Sequence, residues 1–134
     1  MNLQLPLPPR ACSPNKSRPG AWREKHAAGA RYRMEAWVAA RNRSLELKTP
    51  SFTGQRLTIA LTFCTKGSRG TGRYAPRDHD NATASFKAAQ DGICDALGVP
   101  DSHKWLSSAG VTIDTTQGPY VLCCIGVESN DHAT

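Results

Sequence analysis

The chain has 134 residues, of which 39% are hydrophobic and 21% charged, and its formal net charge is +6. A chain of this length can fold around one hydrophobic core without a disulfide or a structural metal, and we expect a single domain over residues 1–134 with a frayed tail from about residue 128. No apolar run approaches the ~18 residues of a membrane span, and residues 1–10 lack the features of a secretory signal. The sequence therefore predicts a cytoplasmic protein without a membrane span, whose five cysteines are free thiols.

The charge is divided unevenly along the chain. Residues 1–77 contain 15 Lys and Arg against three Asp and Glu, whereas residues 78–134 contain two against eight. A strongly basic segment attracts a polyanion, most often the phosphate backbone of nucleic acid, and carboxylates can bind the same polyanion through divalent cations. The alternative is one mixed surface whose charges serve only solubility.

Hydrophobic periodicity predicts a strand and then a helix in the first third of the chain. Leucines alternate with other residues over positions 3–7, and two prolines follow, which is typical of an edge strand. A basic loop punctuated by Pro and Gly comes next, and residues 26–43 have the period of a helix. The apolar stripe expected to face the core comprises Ala30, Met34, Trp37 and Val38, with Arg41 at its end.

The rest of the chain predicts a strand, a helix and two further strands. Residues 56–64 alternate as a half-buried strand does, and the Gly-rich basic loop over 66–80 lacks the G-K-[ST] of a phosphate-binding P-loop. A second helix is expected over 82–97, ending at Gly98, and strands over 107–114 and 118–127. The stripe of that second helix comprises Ala82, Phe86, Ala89, Ile93 and Leu97. This order predicts an α+β or α/β unit with a small mixed sheet and two main helices.

Asp78-His79-Asp80-Asn81 is the segment most suggestive of chemistry. On an extended chain, side chains two residues apart point the same way, so Asp78 and Asp80 could face one cation. A few oxygen ligands with retained waters suit Mg²⁺ or Mn²⁺. Asn81 is expected to cap the helix that follows. The alternative is that this segment is only a loop or a helix cap.

Lys87 and Asp101 extend this candidate site. Lys87 follows Asp80 by seven residues, which returns it to nearly the same face of a continuous helix, where its ammonium could stabilise charge on a cleaved phosphodiester. Asp101 would join the cluster if the next strand lay beside Asp78. Alternatively, Lys87 pairs with Asp91 at i+4 on the surface, and Asp101 is a turn residue.

The combined pattern resembles the RusA family of Holliday-junction resolvases, small endodeoxyribonucleases common in phages and prophages. LPLPPRACSPNK resembles the family's opening strand, proline pair and Asn-containing basic loop. RDHDNATASFKAAQDGICDALGVPD is similar to its D-x-D-N … K-A … D-(A/G) … L … D core. The resemblance covers most of the chain, with two departures. The lysine lies further from the second aspartate than in some members, and Asp101-Ser102 stands where many have paired acids, which leaves Asp91 as an alternative third carboxylate.

The resemblance implies a RusA-like fold and a homodimer that binds a four-way DNA junction. Asp78, Asp80 and Asp101 would hold Mg²⁺ (or Mn²⁺), Lys87 would be the catalytic lysine, and Asn81 and Asp91 would support them. Paired symmetric nicks would leave 5′-phosphate and 3′-hydroxyl ends, in a bacterial or phage-infected cell. The predicted DNA-binding residues are Arg10, Asn15, Lys16, Arg18, Arg23, Lys25, Arg69, Arg73 and Arg77. The alternatives are a non-catalytic, structure-selective DNA-binding protein of the same fold, and a metal-dependent phosphoesterase acting on small nucleotides.

Overall fold

The computed structural model describes residues 1–14, 20–48, 52, 54–102 and 104–128. A mixed sheet packs against helices in an α+β arrangement, which confirms the predicted fold class. The elements are β1 (Asn2–Leu5), a 3-10 turn (Arg10–Cys12), α1 (Trp22–Glu46), β2 (Leu57–Cys64), α2 (His79–Ser85), α3 (Lys87–Leu97), β3 (Leu106–Asp114) and β4 (Tyr120–Val127). The two main helices are α1 and α3, and α2 is a short additional one.

The four strands lie in the order β1-β4-β2-β3. The β2–β3 pair is parallel and the other two pairs are antiparallel. Although β3 and β4 are consecutive in the sequence, β2 lies between them. Alternate residues of β2, from Leu57 to Phe63, are buried, as its hydrophobic pattern predicts, and they join the helices in one core.

Helix α1 buries a different face from the predicted one. Its buried residues are Ala28, Tyr32, Ala36 and Ala40. From the predicted stripe, Met34 is 60% exposed and Val38 42%, so that prediction was wrong. The physical reason is the close packing of α1 along α3, which needs small side chains at the contact and leaves the larger apolar ones facing outward.

The predicted helix over 82–97 is divided into α2 and α3 at Phe86. All five residues of its predicted apolar stripe are nevertheless buried, which confirms the core face. The Phe86 ring meets Tyr32 of α1 and Phe63 of β2 edge to face, with centroid distances of 6.0 and 5.9 Å. Gly98 ends α3 in the left-handed conformation at φ 73°, as predicted.

Two further predictions concern membrane-spanning segments and the C-terminal tail. Within the described ranges, no helix is both long enough and apolar enough to cross a membrane. Glu128 is held to Arg56 by an ion pair of 3.2 Å, so ordered structure extends to that residue. The rest of the predicted tail, 129–134, lies outside the described residues.

Candidate functional site

Asp78 is the N-cap of α2. Its backbone is extended, its Oδ1 accepts a hydrogen bond from the Asn81 backbone N–H, and its Oδ2 accepts one from Asn81 Nδ2, both at 2.8 Å. The capping residue is therefore Asp78 rather than Asn81, which corrects the prediction. A short side chain with an acceptor oxygen, placed three residues before a backbone N–H of the first helical turn, can accept the hydrogen bond of that N–H directly.

Asp80 lies in the first turn of α2 and is exposed to solvent. Because α2 begins at His79, Asp80 is helical and only Asp78 is extended, so the two carboxylates do not share a strand face as predicted. The Asp80 side chain makes no hydrogen bond or ion pair with another described residue. Its carboxylate is placed favourably for the helix dipole, and it is available to an external group.

Lys87, Gln90, Asp91 and Asp101 form a second group, which we call the lysine cluster. The Lys87 ammonium donates to Asp91 Oδ1 at 3.0 Å and makes a short contact with Asp101 Oδ2. Asp101 Oδ1 accepts a hydrogen bond from Gln90 Nε2 at 3.0 Å. The loop after α3 thus returns Asp101 to the first turn of that helix.

The single helix predicted to carry both Asp80 and Lys87 is divided at Phe86, and the Lys87 ammonium contacts Asp91 and Asp101. The i+4 contact of Lys87 with Asp91 is confirmed. Gln90 was not identified from the sequence, although it lies one helical turn after Lys87 and next to Asp91.

Arg33 of α1 connects that helix to the lysine cluster. Its Nε and Nη2 donate to Asp95 Oδ2 at 2.8 and 2.6 Å, and its Nη1 lies 3.9 Å from Asp91 Oδ2. The hydrogen bond and negative charge of Asp95 raise the pKa of Arg33. These contacts join residues about 60 positions apart, so no local sequence pattern reveals them.

The acidic residues, as the structure arranges them, do not fit the metal ion that the resemblance implies. Within the part of the chain that the structure describes, no group of three or more His, Cys, Asp or Glu could hold a metal ion. Both oxygens of Asp78 are bonded to Asn81, and both oxygens of Asp101 are engaged by Lys87 and Gln90. As arranged, Asp78, Asp80 and Asp101 do not form a three-carboxylate site.

Four of the predicted DNA-binding residues line one open cavity of about 620 Å³. This arginine pocket contains Arg10, Arg69, Arg73 and Arg77, together with Tyr74. Arg73 donates to the Leu7 carbonyl at 3.2 Å and lies 3.6 Å from Glu35, so it also holds the fold together. The other three arginines have no ion-pair partner among the described residues.

The arginine pocket adjoins Asp78. Arg77 lines both this pocket and a neighbouring depression formed by Asp78, His79 and residues of β3. Burial, and then the negative charge of Asp78, raise the pKa of Tyr74, so its phenol stays protonated and can donate a hydrogen bond. A phosphate in the pocket would therefore meet arginines and a hydroxyl donor together.

Two of the remaining predicted DNA-binding residues, Arg23 and Lys25, lie in α1 and do not line the arginine pocket. Arg23 lies 5.4 Å from the ring centre of Trp22, which is 65% exposed. Lys25 Nζ donates to the Ser13 carbonyl at 3.5 Å. Asn15, Lys16 and Arg18 lie outside the described residues.

No family model matches the chain, and a search of the curated proteins finds no match either. The RusA resemblance therefore rests on the sequence motifs and stays a prediction.

Proposed function

We propose that this protein is a structure-selective endodeoxyribonuclease of the RusA type that acts on four-way DNA junctions as a homodimer. The observation that carries the proposal is the contact of Lys87 with both Asp91 and Asp101. It assembles a lysine and two carboxylates at the surface, directly after the short helix α2 that Asp78 caps. A cation among carboxylates is an arrangement used to stabilise charge on a reacting phosphate.

The charges of the lysine cluster and of the arginine pocket suit different roles in DNA cleavage. The lysine cluster contains two carboxylates and one ammonium, a formal charge of −1, whereas the arginine pocket contains four guanidinium groups. Phosphate contacts from such arginines position the backbone without reading its sequence. The arginine pocket would hold the DNA, and the lysine cluster would act on its phosphodiester.

Mg²⁺ or Mn²⁺ is the cofactor that this proposal includes. Because the acidic residues as arranged do not form a three-ligand group, no step of the reaction is assigned to the ion. Lys87 is the residue to which we assign a chemical role: its ammonium would stabilise the negative charge that develops on the phosphate.

Asp80→Asn tests the proposal most cleanly. Asp80 is exposed and its side chain makes no hydrogen bond or ion pair with a described residue, so the substitution should leave the fold intact. Because the resemblance places Asp80 among the carboxylates that would hold the metal ion, we expect junction cleavage in Mg²⁺ or Mn²⁺ to fall on the order of 10²-fold or more. Junction binding should be retained or tightened, because one negative charge near phosphate is removed.

The assay is cleavage of a fluorescently labelled four-way junction, with binding measured in parallel by gel shift. Glu46→Gln, the same chemical change at an exposed position at the end of α1, should cleave like the unmodified protein. Normal cleavage by Asp80→Asn would contradict the site assignment.

A second candidate is a non-catalytic, structure-selective DNA-binding protein of the same fold. The specific observation in its favour is that the described residues contain no three-ligand acidic group. If the unmodified protein binds the junction but leaves it uncut in both Mg²⁺ and Mn²⁺, this candidate replaces the nuclease.

A further inference from the structure

The two edges of the sheet differ in length and in protection. At one edge β1 has four residues and is followed by Pro6, Pro8 and Pro9. Short edge strands and prolines hinder the pairing of a further strand. At the other edge β3 has nine residues, and from Leu106 to Ile113 it contains no charged residue and no proline. The β3 edge is therefore open to pairing with a strand from outside.

The backbone of β3 has groups available for such a strand. The Asp114 carbonyl accepts a hydrogen bond from the Thr65 N–H at 2.9 Å, so Asp114 faces the β2 side. Because alternate residues of a strand direct their N–H and C=O to opposite sides, Val111 and Ile113 direct theirs away from β2. No other element of the described chain makes a backbone hydrogen bond to residues 107–113. An open depression of about 450 Å³ borders residues 111–113.

We propose that two copies of this chain pair through β3, antiparallel and centred on Thr112, so that the two sheets become continuous. The inference rests on the homodimer of the proposed function and names its interface. The β2–β3 register has an extra residue at Ala109, so the regular part of β3 that pairs is Gly110–Asp114.

The sequence around Thr112 suits pairing with a second copy. Val111 would exchange both backbone hydrogen bonds with the partner's Ile113, and the reverse pair would do the same. The side chains of Val111 and Ile113 lie on the core face of the sheet, where two β-branched apolar pairs would form. Thr112 is exposed on the opposite face and would meet the partner's Thr112. No like charges would be brought together, because Asp114 lies opposite the partner's Gly110.

This interface relates the dimer to the candidate site. Thr112 and Asp78 line the same depression, so the start of α2 in each copy would lie close to the twofold axis. Paired symmetric nicks require two sites related by such an axis.

Sedimentation equilibrium over protein concentrations from about 1 µM to about 1 mM measures the dimer. Thr112→Arg places two cations opposite each other at the axis and should weaken dimerisation about tenfold or more. Gln4→Arg introduces the same charge at an exposed position of the β1 edge and should dimerise like the unmodified protein. Thermal unfolding of both variants establishes that each is folded.

Cross-linking through Thr112→Cys tests the register directly. Residues opposite each other at a non-hydrogen-bonded position have Cα atoms about 4.5 Å apart, within the roughly 4.4–6.8 Å that a disulfide spans. The variant is made with Cys124→Ser, because Cys124 is exposed whereas the other native cysteines are buried. In oxidised glutathione it should form a covalent dimer on a non-reducing gel. Gln4→Cys in the same background should stay uncross-linked.

A protein that stays monomeric at these concentrations, a dimer that Thr112→Arg leaves intact, or a Thr112→Cys variant that does not cross-link would each overturn the inference. Junction cleavage by the unmodified protein separates the two proposals. A dimer cross-linked at Thr112→Cys that leaves the junction uncut keeps the interface and removes the nuclease function. Cleavage by a protein whose dimer forms elsewhere removes only the interface.

Discussion

Asp78 has two properties that mutation can separate: a hydrogen-bonding end that caps α2 and a negative charge. Asp78→Ala removes both and should lower the free energy of unfolding by about 1 kcal/mol, whereas Asp78→Asn keeps an effective capping side chain and should cost only a few tenths. Urea unfolding of the two variants measures this difference. If the nuclease proposal holds, both variants lose cleavage despite their unequal stabilities; equal stabilities would contradict the capping role.

Asp114 should make the stability of the protein sensitive to acid. Hydrogen bonds from Thr116, through its hydroxyl at 2.5 Å and its backbone N–H at 2.8 Å, and from Gln117 lower the pKa of Asp114. A carboxyl whose folded pKa is depressed stabilises the fold above its unfolded pKa, and that stabilisation is lost as pH falls through the folded value.

The comparison that measures this effect is between the unmodified protein and Asp114→Asn. At neutral pH the variant should unfold at a lower temperature. The difference in melting temperature should shrink as pH falls below about 4, where the unfolded carboxyl becomes protonated, and disappear once pH falls below the lower pKa of the folded carboxyl. A difference that stays constant down to low pH would show that the carboxylate charge has no part in it.

At the scale of the element, the contact between α1 and α3 depends on Gly92. A Cβ on Gly92 would collide with the Arg33 carbonyl and lie 3.2 Å from the Trp37 backbone nitrogen. Gly92→Ala should therefore destabilise the protein by about 1–3 kcal/mol, despite the better helix propensity of Ala.

Gly29→Ala is the matched control on the other helix. Its Cβ would lie 3.8 Å from Ala88 Cβ, an ordinary contact. This variant should be neutral or more stable by up to about 1 kcal/mol. Chemical denaturation of the pair measures both effects, and similar stabilities would contradict the close approach of the helices at Gly92.

The elements show what periodicity can and cannot reveal. Alternation identified β2 because its side chains alternate between the core and the opposite face of the sheet. In α1, hydrophobicity favoured Met34 and Val38, yet the core accepted Ala28, Ala36 and Ala40. Which face of α1 is buried depends on how closely α3 approaches it, and the sequence of α1 alone does not give that distance.

The candidate site likewise combines contacts that the sequence predicts with contacts that it does not. The sequence identified Asp78, Lys87, Asp91 and Asp101 as side chains of interest, and the i+4 pair was predictable from helix geometry. The contact of Lys87 with Asp101 depends on how the loop after α3 returns, and the contact of Arg33 with Asp91 depends on tertiary packing. Neither leaves a local sequence signal.

At the scale of the whole molecule, four arginines of the basic segment 1–77 lie together in the arginine pocket. Junction binding should weaken steeply as salt rises, because arginines release counterions from phosphate. Replacing both Arg69 and Arg77 with Gln should reduce the slope of log affinity against log salt by about 2, close to one unit per lost phosphate contact. Arg41→Gln, an exposed arginine of α1 outside that pocket, should leave the slope unchanged.

Salt titration of junction binding by fluorescence anisotropy measures these slopes. An unchanged slope in the double variant would show that the arginine pocket does not contact the DNA backbone. In that case basic residues outside the arginine pocket, such as Arg23 and Lys25, would bind the phosphates.

The exposure of Cys124 on the uncovered face of the sheet offers a single point of conjugation. Cys12, Cys64, Cys94 and Cys123 are buried, and burial raises the pKa of Cys94 to about 11 and of Cys123 to about 12. Their thiolates are scarce at neutral pH, so a maleimide dye would attach at Cys124 first. The dye would sit on the face of the sheet opposite the helices.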